Sequence, residues 1–225
     1  MKKKLKQMLK QIDDEANYTI AYTGRDKFSK RVMDVMAVVD REKFVPKSLR
    51  LLAYENGPLT IGYGQTISQP YIVACMTDFL ELTPESIVLE IGTGSGYQAA
   101  ILSRLAKTVY TIEKIRELYN SATKLLKDLN YNNIETRCSN GYYGWQDKAP
   151  FDAIMVTAAA THVPPALIEQ LKPGGRMLVP VGLPSLHQEL LLVRKHRDGT
   201  SSTESILDVA FVPLVIDDRK PELLS

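Results

Sequence analysis

This chain contains few of the residues that build disulfide scaffolds or metal centres. Its 225 residues include two cysteines, Cys75 and Cys138, and three histidines, His162, His187 and His196. Two cysteines are too few for a disulfide framework, so the sequence predicts free thiols in a reducing cytoplasm. Neither cysteine has a second cysteine or a histidine at metal-ligand spacing, and the histidines are scattered. We therefore expect a cytoplasmic protein without a metal site.

The chain also lacks long apolar runs and a strong charge of either sign. No apolar run approaches the roughly 20 residues of a membrane-spanning helix. Five of the first ten residues are lysines, but no apolar segment follows them as in a secretory signal. The net charge of +2 indicates neither nucleic acid nor a membrane as a partner. Length and a hydrophobic content of 44% fit one globular domain spanning residues 1–225.

The most informative stretch is a glycine-rich loop between a predicted strand and a predicted helix. The apolar segment 87–91 runs into Gly92, Gly94 and Gly96, and a helical pattern begins at Tyr97. Glycine lets the backbone turn tightly and lets a ligand approach closely. The N-terminus of the helix offers N–H groups without partners inside the helix. The pattern predicts a ligand-binding loop; the alternative is a loop that only turns the chain.

Two acidic residues indicate which ligand this loop binds. Glu113 ends the next predicted strand, where an acid can accept hydrogen bonds from both hydroxyls of a ribose. Glu90, two residues before Gly92, adds a negative charge that suits a cationic amino-acid group better than phosphates. The dinucleotide pattern G-x-G-x-x-G requires a third glycine where this chain has Tyr97. The pattern E-x-G-x-G-x-G followed by an acid therefore looks like a binding site for S-adenosylmethionine.

Apolar strands alternate with helical patterns from residue 86 onwards. The predicted strands are 87–91, 109–112, 134–138, 153–156 and 177–181, and the predicted helices are 97–105, 116–129 and 165–171. Such alternation predicts a parallel sheet with helices on both faces. Two more strands are predicted at 189–195 and 206–215. The expected fold class is α/β, with a doubly wound, mostly parallel seven-stranded sheet and an N-terminal helical extension.

The N-terminal part is predicted to contain helices and one loop. Residues 1–20 are interpreted as a basic leader, amphipathic or frayed, that is solvated on the surface. Residues 24–54 show helical periodicity, and a helix is predicted over 69–82, with Pro70 in its first turn. Thr66 and Ser68 lie just before that helix. One of them can cap it and the other can donate to a carboxylate, although Ser68 can also be the cap alone.

The sequence resembles the protein-L-isoaspartate O-methyltransferase family over roughly residues 24–215. The segments that carry the resemblance are 41–46, 64–70, 88–98, 141–145, 149–154, 157–160 and 211–214. The glycine loop alone is typical of any class I S-adenosylmethionine-dependent methyltransferase, whereas Gln-Thr-Ile-Ser-Gln-Pro is far more specific. The resemblance implies methyl transfer to the free carboxylate of L-isoaspartyl, and possibly D-aspartyl, residues in damaged proteins and peptides. The methyl ester then forms a succinimide, which starts repair.

The same resemblance implies roles for individual residues. Ser68 is expected at the catalytic centre, with segment 65–68 over the cofactor and the substrate carboxylate. The expected cofactor-binding residues are Thr66, Ile67, Ser68, Glu90, Gly92, Gly94, Ser95, Gly96, Glu113, Asn140, Gly141 and Thr157. Asn140 departs from the family pattern, which has aspartate beside the adenine. Asparagine keeps a carbonyl acceptor but loses the charge, so weaker cofactor binding at most is expected.

Two alternatives remain open at this point. One is a methyltransferase of the same fold that acts on RNA or a small molecule. The other is a cofactor-binding relative without turnover, which the Asn140 departure indicates weakly. The leading hypothesis divides the chain into a helical and substrate-loop region (1–85) and an S-adenosylmethionine-binding core (86–225). It expects a monomer with isoaspartyl proteins and peptides as partners.

Overall fold

The computed structural model describes residues 2–183 and 186–215, and a seven-stranded sheet lies at its centre. A small hairpin comes first, β1 (Leu59–Gly62) and β2 (Gln65–Ile67). The large sheet contains β3 (Ile87–Ile91), β4 (Thr108–Glu113), β5 (Ile134–Cys138), β6 (Phe151–Val156), β7 (Leu171–Gly182), β8 (Gln188–Lys195) and β9 (Ser201–Asp208). Its order is β5-β4-β3-β6-β7-β8-β9. The five strands β3 to β7 are parallel, and β8 pairs antiparallel with both β7 and β9. The predicted fold class is confirmed.

Seven α-helices accompany these strands in the described residues. They are α1 (Lys2–Tyr18), α2 (Ile20–Thr23), α3 (Lys30–Val38), α4 (Pro70–Phe79), α5 (Tyr97–Ser103), α6 (Arg116–Asp128) and α7 (Pro165–Gln170). Short 3-10 helices cover Arg41–Phe44, Lys47–Leu52, Gly141–Tyr143 and Gln146–Lys148. None of the helices in the described part of the chain combines the length and the apolar character needed to span a membrane.

The strand order reverses beside β3, and this reversal determines where the site lies. The chain passes from β3 to β4 on one side and later returns to β6 on the other side. The connections that follow β3 and β6 therefore diverge at the carboxyl edge of the sheet, where open α/β folds bind ligands. The glycine loop after β3 and Thr157 after β6 lie at this edge.

The interpretation of residues 1–20 as a solvated leader was wrong. Residues 2–18 form α1, which packs against α4 and buries Met8, Ile12 and Ala16 completely. These three side chains recur every four residues, so they form one apolar stripe while the lysines face outward. They belong to the same hydrophobic cluster as Val88 of β3. The division at residue 85 stays a prediction, and residues 1, 184–185 and 216–225 lie outside the described residues.

Two further expectations need correction. Within 24–54 the only α-helix is α3, because Val39 is extended and the chain continues as 3-10 turns. The last strand ends at Asp208, not at 215. Residues 209–215 leave the sheet, and Leu214 N–H donates to the carbonyl of Ala159 (2.7 Å). This segment is apolar because it covers the carboxyl edge of the sheet, where it lines the site.

Candidate active site

A cavity opens at the carboxyl ends of β3, β4 and β6. It has a volume of about 70 Å³. Its lining includes Thr66, Gly92, Gly94, Glu113, Gly141 and Thr157, together with residues 212–215. The fold thus brings together six of the residues that the sequence predicted for the cofactor, and they come from five separate segments of the chain.

Two glycines are required here because of their neighbours. Gly92 has a φ of +96°, and a Cβ on it would lie 2.5 Å from the Thr157 hydroxyl oxygen. That hydroxyl donates to the carbonyls of Ile91 (3.0 Å) and Gly92 (2.8 Å). A Cβ on Gly141 would lie 2.3 Å from Cγ2 of Ile91. Close packing of β3, β6 and the loop after β5 therefore excludes side chains at both positions.

Glu113 holds the glycine loop in place. One carboxylate oxygen accepts from the backbone N–H of Gly94 and the other from that of Ile115, both at 2.8 Å. The side chain is 6% exposed and faces the cavity. A carboxylate oxygen has more than one acceptor site, so Glu113 retains capacity for hydroxyl donors. Its expected contact with ribose stays a prediction that this geometry supports.

Glu90 lies under the glycine loop and does not line the cavity. It is completely buried and accepts a hydrogen bond from Thr111, whose hydroxyl also contacts that of Thr93 in the loop (2.7 Å). Its other carboxylate oxygen is also buried and has no hydrogen-bond partner in the described part of the chain. Burial raises the pKa of Glu90 to about 8, and the charge of Glu113 adds to this while the Thr111 hydrogen bond opposes it. Direct contact with a cofactor's cationic group stays a prediction, which this burial does not favour.

We expect Glu90→Gln to flatten the dependence of stability on pH. An unfolded glutamate has a pKa of about 4.3, so between about pH 4.3 and 8 the folded chain keeps a proton that the unfolded chain loses. Wild-type stability from this group therefore falls as pH rises through that window. Urea unfolding at pH 5, 6.5 and 8 should show a smaller decline for Glu90→Gln, with the exposed Glu85→Gln as control. Equal slopes in all three proteins would contradict the assignment.

Asn140 has a local structural role. Its side-chain carbonyl accepts from the backbone N–H of Tyr142 (3.0 Å) and so caps the 3-10 helix Gly141–Tyr143. Its amide nitrogen is buried and has no hydrogen-bond partner among the described residues. The carbonyl oxygen retains a second acceptor site, so its expected contact with an adenine amino group stays a prediction.

The segment before α4 is fixed by a residue that the sequence analysis did not select. Arg41 is completely buried, donates to the carbonyls of Ala53 (2.9 Å) and Ser68 (2.7 Å), and lies 4.9 Å from the Tyr97 ring centre. Burial lowers the pKa of this guanidinium. Gln69 is the N-cap of α4, and its side chain makes no capping hydrogen bond. The side-chain oxygen of Asn56 instead accepts from the backbone N–H of Tyr71 in the first turn (3.1 Å). The alternative that Ser68 serves only as the cap is therefore wrong.

A second cleft, of about 600 Å³, adjoins the first cavity. Ser68 lines it, and Thr66 and Thr157 line both spaces. Ser68 and Ser95 also border a narrow space between the glycine loop and residues 66–68. Ser68 thus borders both the larger cleft, which is open to solvent, and the narrow space beside the glycine loop. This arrangement suits transfer of a small group between two bound molecules.

The remaining predicted residues have mainly structural surroundings. Gly96 does not line these cavities, and a Cβ on it would lie 3.2 Å from Leu126 of α6. Ile67 is 5% exposed, so most of its side chain packs in the core. The roles predicted for these two residues and for Ser95 remain predictions.

One histidine, His187, lies beside two acidic residues in the fold. His187, Glu189 and Asp208 each have a potential ligand atom within 4.8 Å of the others. Glu189 accepts from Ser205, and Asp208 lies 3.5 Å from the His187 ring nitrogen. These contacts explain why the three polar side chains lie close together on the surface. The absence of a metal site stays a prediction.

Comparison with known proteins gives a consistent result. The family model described as protein-L-isoaspartate(D-aspartate) O-methyltransferase matches residues 5–219. Protein-L-isoaspartate O-methyltransferase 2 of Syntrophobacter fumaroxidans is 55% identical over 207 residues, which cover 92% of this chain and 84% of that protein. Protein-L-isoaspartate O-methyltransferase 1 of Cupriavidus necator is 57% identical over 208 residues, covering 92% and 80% of the two chains.

Solved structures agree with these relatives. A structure described as a protein-L-isoaspartate O-methyltransferase from Plasmodium falciparum, in complex with S-adenosyl-L-homocysteine, superposes with a TM-score of 0.72 at 25% identity. The match covers 83% of this chain and 91% of that one. Another protein-L-isoaspartate O-methyltransferase gives a TM-score of 0.75 at 29% identity, over 89% of this chain and 65% of that one.

Proposed function

The chain belongs to the protein-L-isoaspartate(D-aspartate) O-methyltransferase family, and on that premise we propose that it methylates isoaspartyl residues in damaged proteins and peptides. The methyl group comes from S-adenosylmethionine, and the acceptor is the free carboxylate of the isoaspartyl residue. The observation that carries this proposal is the meeting of two spaces at Thr66 and Thr157, with Ser68 between them.

The residues of the inner cavity fit S-adenosylmethionine. Gly92, Gly94 and Gly141 line it without side chains, and Glu113 offers free acceptor capacity for ribose hydroxyls. A Plasmodium falciparum relative carries the demethylated product of this cofactor. When bound, S-adenosylmethionine supplies an electrophilic methyl group.

The protein's own residues bind and orient the two reactants. An aspartyl-type carboxylate has a reference pKa of about 3.9, so it is ionised at neutral pH and needs no general base. The remaining requirement is to hold it in line with its target at about 3–3.5 Å, which can account for roughly 7–11 kcal/mol of the barrier. The Ser68 hydroxyl donates to the carboxylate. Arg41 fixes the backbone that carries this hydroxyl.

The direct test is transfer of radiolabelled methyl groups to an isoaspartyl peptide and to the matching aspartyl peptide. We expect labelling of the first peptide alone, with the label released as methanol at alkaline pH. Labelling of both peptides would contradict isomer selectivity. No labelling of either, with S-adenosylhomocysteine still bound, would favour the non-catalytic alternative. A D-aspartyl peptide in the same assay tests the wider acceptor range.

We expect Asn140→Asp to bind S-adenosylhomocysteine more tightly than the wild type. The carboxylate keeps the cap on Tyr142 and removes the buried amide nitrogen that lacks a partner. Hydrogen bonds to charged acceptors exceed neutral ones by about 1 kcal/mol, which corresponds to about fivefold in affinity. Isothermal titration would measure this, with the exposed Asn132→Asp as control. Weaker binding by Asn140→Asp would show that the amide nitrogen itself contacts the cofactor.

Several narrower features belong to the same proposal. We propose a monomer, without nucleic-acid partners and without a metal, in the cytoplasm. The near-neutral net charge supports the absence of nucleic-acid partners. The two free cysteines, of which Cys75 is buried, support a reducing compartment.

A further inference from the structure

The outer cleft combines negative charge with aromatic surface. Its lining comes from the end of α1 with Thr19, from Pro58 and Thr157, from the stretch 66–72, and from the end of β9 with the segment that follows. Two carboxylates, Glu15 and Asp208, lie in this lining, and none of its described residues is Lys, Arg or His. This composition is unexpected beside a site whose proposed acceptor is itself a carboxylate, because like charges repel each other.

Glu15 is held at the cleft by amides and has no cationic partner in the described chain. The side-chain nitrogen of Gln69 lies 3.1 and 2.9 Å from its two carboxylate oxygens, and the side-chain nitrogen of Asn56 also donates to it. Gln69 is adjacent to Ser68, so the charge of Glu15 lies one side chain away from the proposed acceptor site. Amide donors fix the position of this carboxylate and leave its charge in place.

Asp208 contributes the second charge, from the end of β9. It is exposed and lies 3.5 Å from His187, which is charged only when protonated. Residues 209–212 continue from it along the cleft. The cleft is therefore bordered by one carboxylate from the N-terminal helix and by another from the far edge of the sheet.

Aromatic rings lie in the same lining. Tyr18 is 86% exposed, and Phe211, which follows β9, is half-buried. The Tyr71 ring is buried, and its hydroxyl lies 2.7 Å from that of Thr19. Aromatic faces together with carboxylates form the usual environment for a lysine or arginine side chain, through cation–π contacts and charge attraction. The apolar stem of such a side chain also packs well on tyrosine and phenylalanine.

We propose that this cleft is a specificity subsite that favours isoaspartyl residues flanked by lysine or arginine. The inference rests on the proposed methyl transfer and names its preferred substrates. A cationic neighbour in the peptide would compensate the charges of Glu15 and Asp208, whereas an acidic neighbour would add to them. The N-terminal helix thereby becomes part of substrate recognition.

The test uses the full-length protein and capped isoaspartyl peptides that differ at one flanking position, as Lys, Gln or Glu, on either side. On at least one side, kcat/KM should be about tenfold higher for Lys than for Glu, because complementary charge selects between partners. This ratio should shrink as ionic strength rises. In Glu15→Gln and Asp208→Asn the ratio should fall about threefold or more. Asp14→Asn is the matched control, since Asp14 is on α1 but pairs with Lys10 outside the cleft.

The outcomes separate this inference from the function on which it rests. Equal kcat/KM for Lys and Glu peptides on both sides would overturn the subsite while leaving methyl transfer intact. A charge preference that survives unchanged in both cleft variants would also overturn it. A preference reduced to the same extent in Asp14→Asn would mean that net charge, rather than the cleft, selects the peptide. Methylation of none of the peptides would overturn the proposed function and the subsite together.

Discussion

Glu113→Ala should weaken S-adenosylhomocysteine binding by about 100-fold or more. Each hydrogen bond to a charged group contributes about 1.5–3 kcal/mol, and the proposal assigns two such bonds from ribose hydroxyls to this carboxylate. The substitution also removes the acceptor for the N–H groups of Gly94 and Ile115, so the glycine loop loses its anchor. Isothermal titration with S-adenosylhomocysteine measures the effect directly.

Two variants separate the loss of the anchor from the loss of the ribose contact. Glu113→Gln keeps one oxygen acceptor, so its affinity should lie between those of wild type and Glu113→Ala. Glu117→Ala removes an exposed acid from the first turn of α6 and should bind like wild type. A wild-type dissociation constant for Glu113→Ala would mean that the acid does not contact the cofactor. Thermal melting without ligand would then report its role in the loop alone.

The central site was predictable because its signals are local in sequence. The glycine loop, the strand before it and Glu113 lie within 30 residues, and each obeys a geometric rule for parallel strands and helix N-termini. The buried strands were also recognisable, since β3 is apolar except for Glu90 and β6 is apolar except for Asp152, as is typical of strands covered on both faces. The structure confirms the sheet that these signals predicted.

The outer cleft was not predictable, because its parts come from distant segments whose local patterns indicate something else. Lysines at the N-terminus suggested a solvated leader, although residues 8, 12 and 16 form a buried stripe that positions Glu15. The segment 209–215 has the composition of a strand but covers the sheet edge. Arg41 lies in segment 41–46, which contributed to the family resemblance but was given no role in the site. Its contact with Ser68 spans 27 residues and depends on tertiary packing.

Ser68→Ala should reduce turnover of an isoaspartyl peptide by about 100-fold, the cost typical of removing one positioned donor at a reacting oxygen. Its affinity for S-adenosylhomocysteine should stay within about twofold of wild type, because the lost group acts on the acceptor. Steady-state rates and isothermal titration measure the two effects separately. The exposed Ser48→Ala serves as control, since it lies outside both spaces at the site.

The structure makes this separation of effects possible. Arg41 holds the backbone carbonyl of residue 68, and the neighbouring Gln69 side chain contacts Glu15. Neither contact involves the Ser68 hydroxyl, and that hydroxyl does not cap α4. Alanine should therefore leave the segment in position and remove only the donor. Unchanged turnover would exclude Ser68 from the mechanism, whereas equal losses in turnover and cofactor affinity would assign the hydroxyl to the cofactor rather than to the substrate.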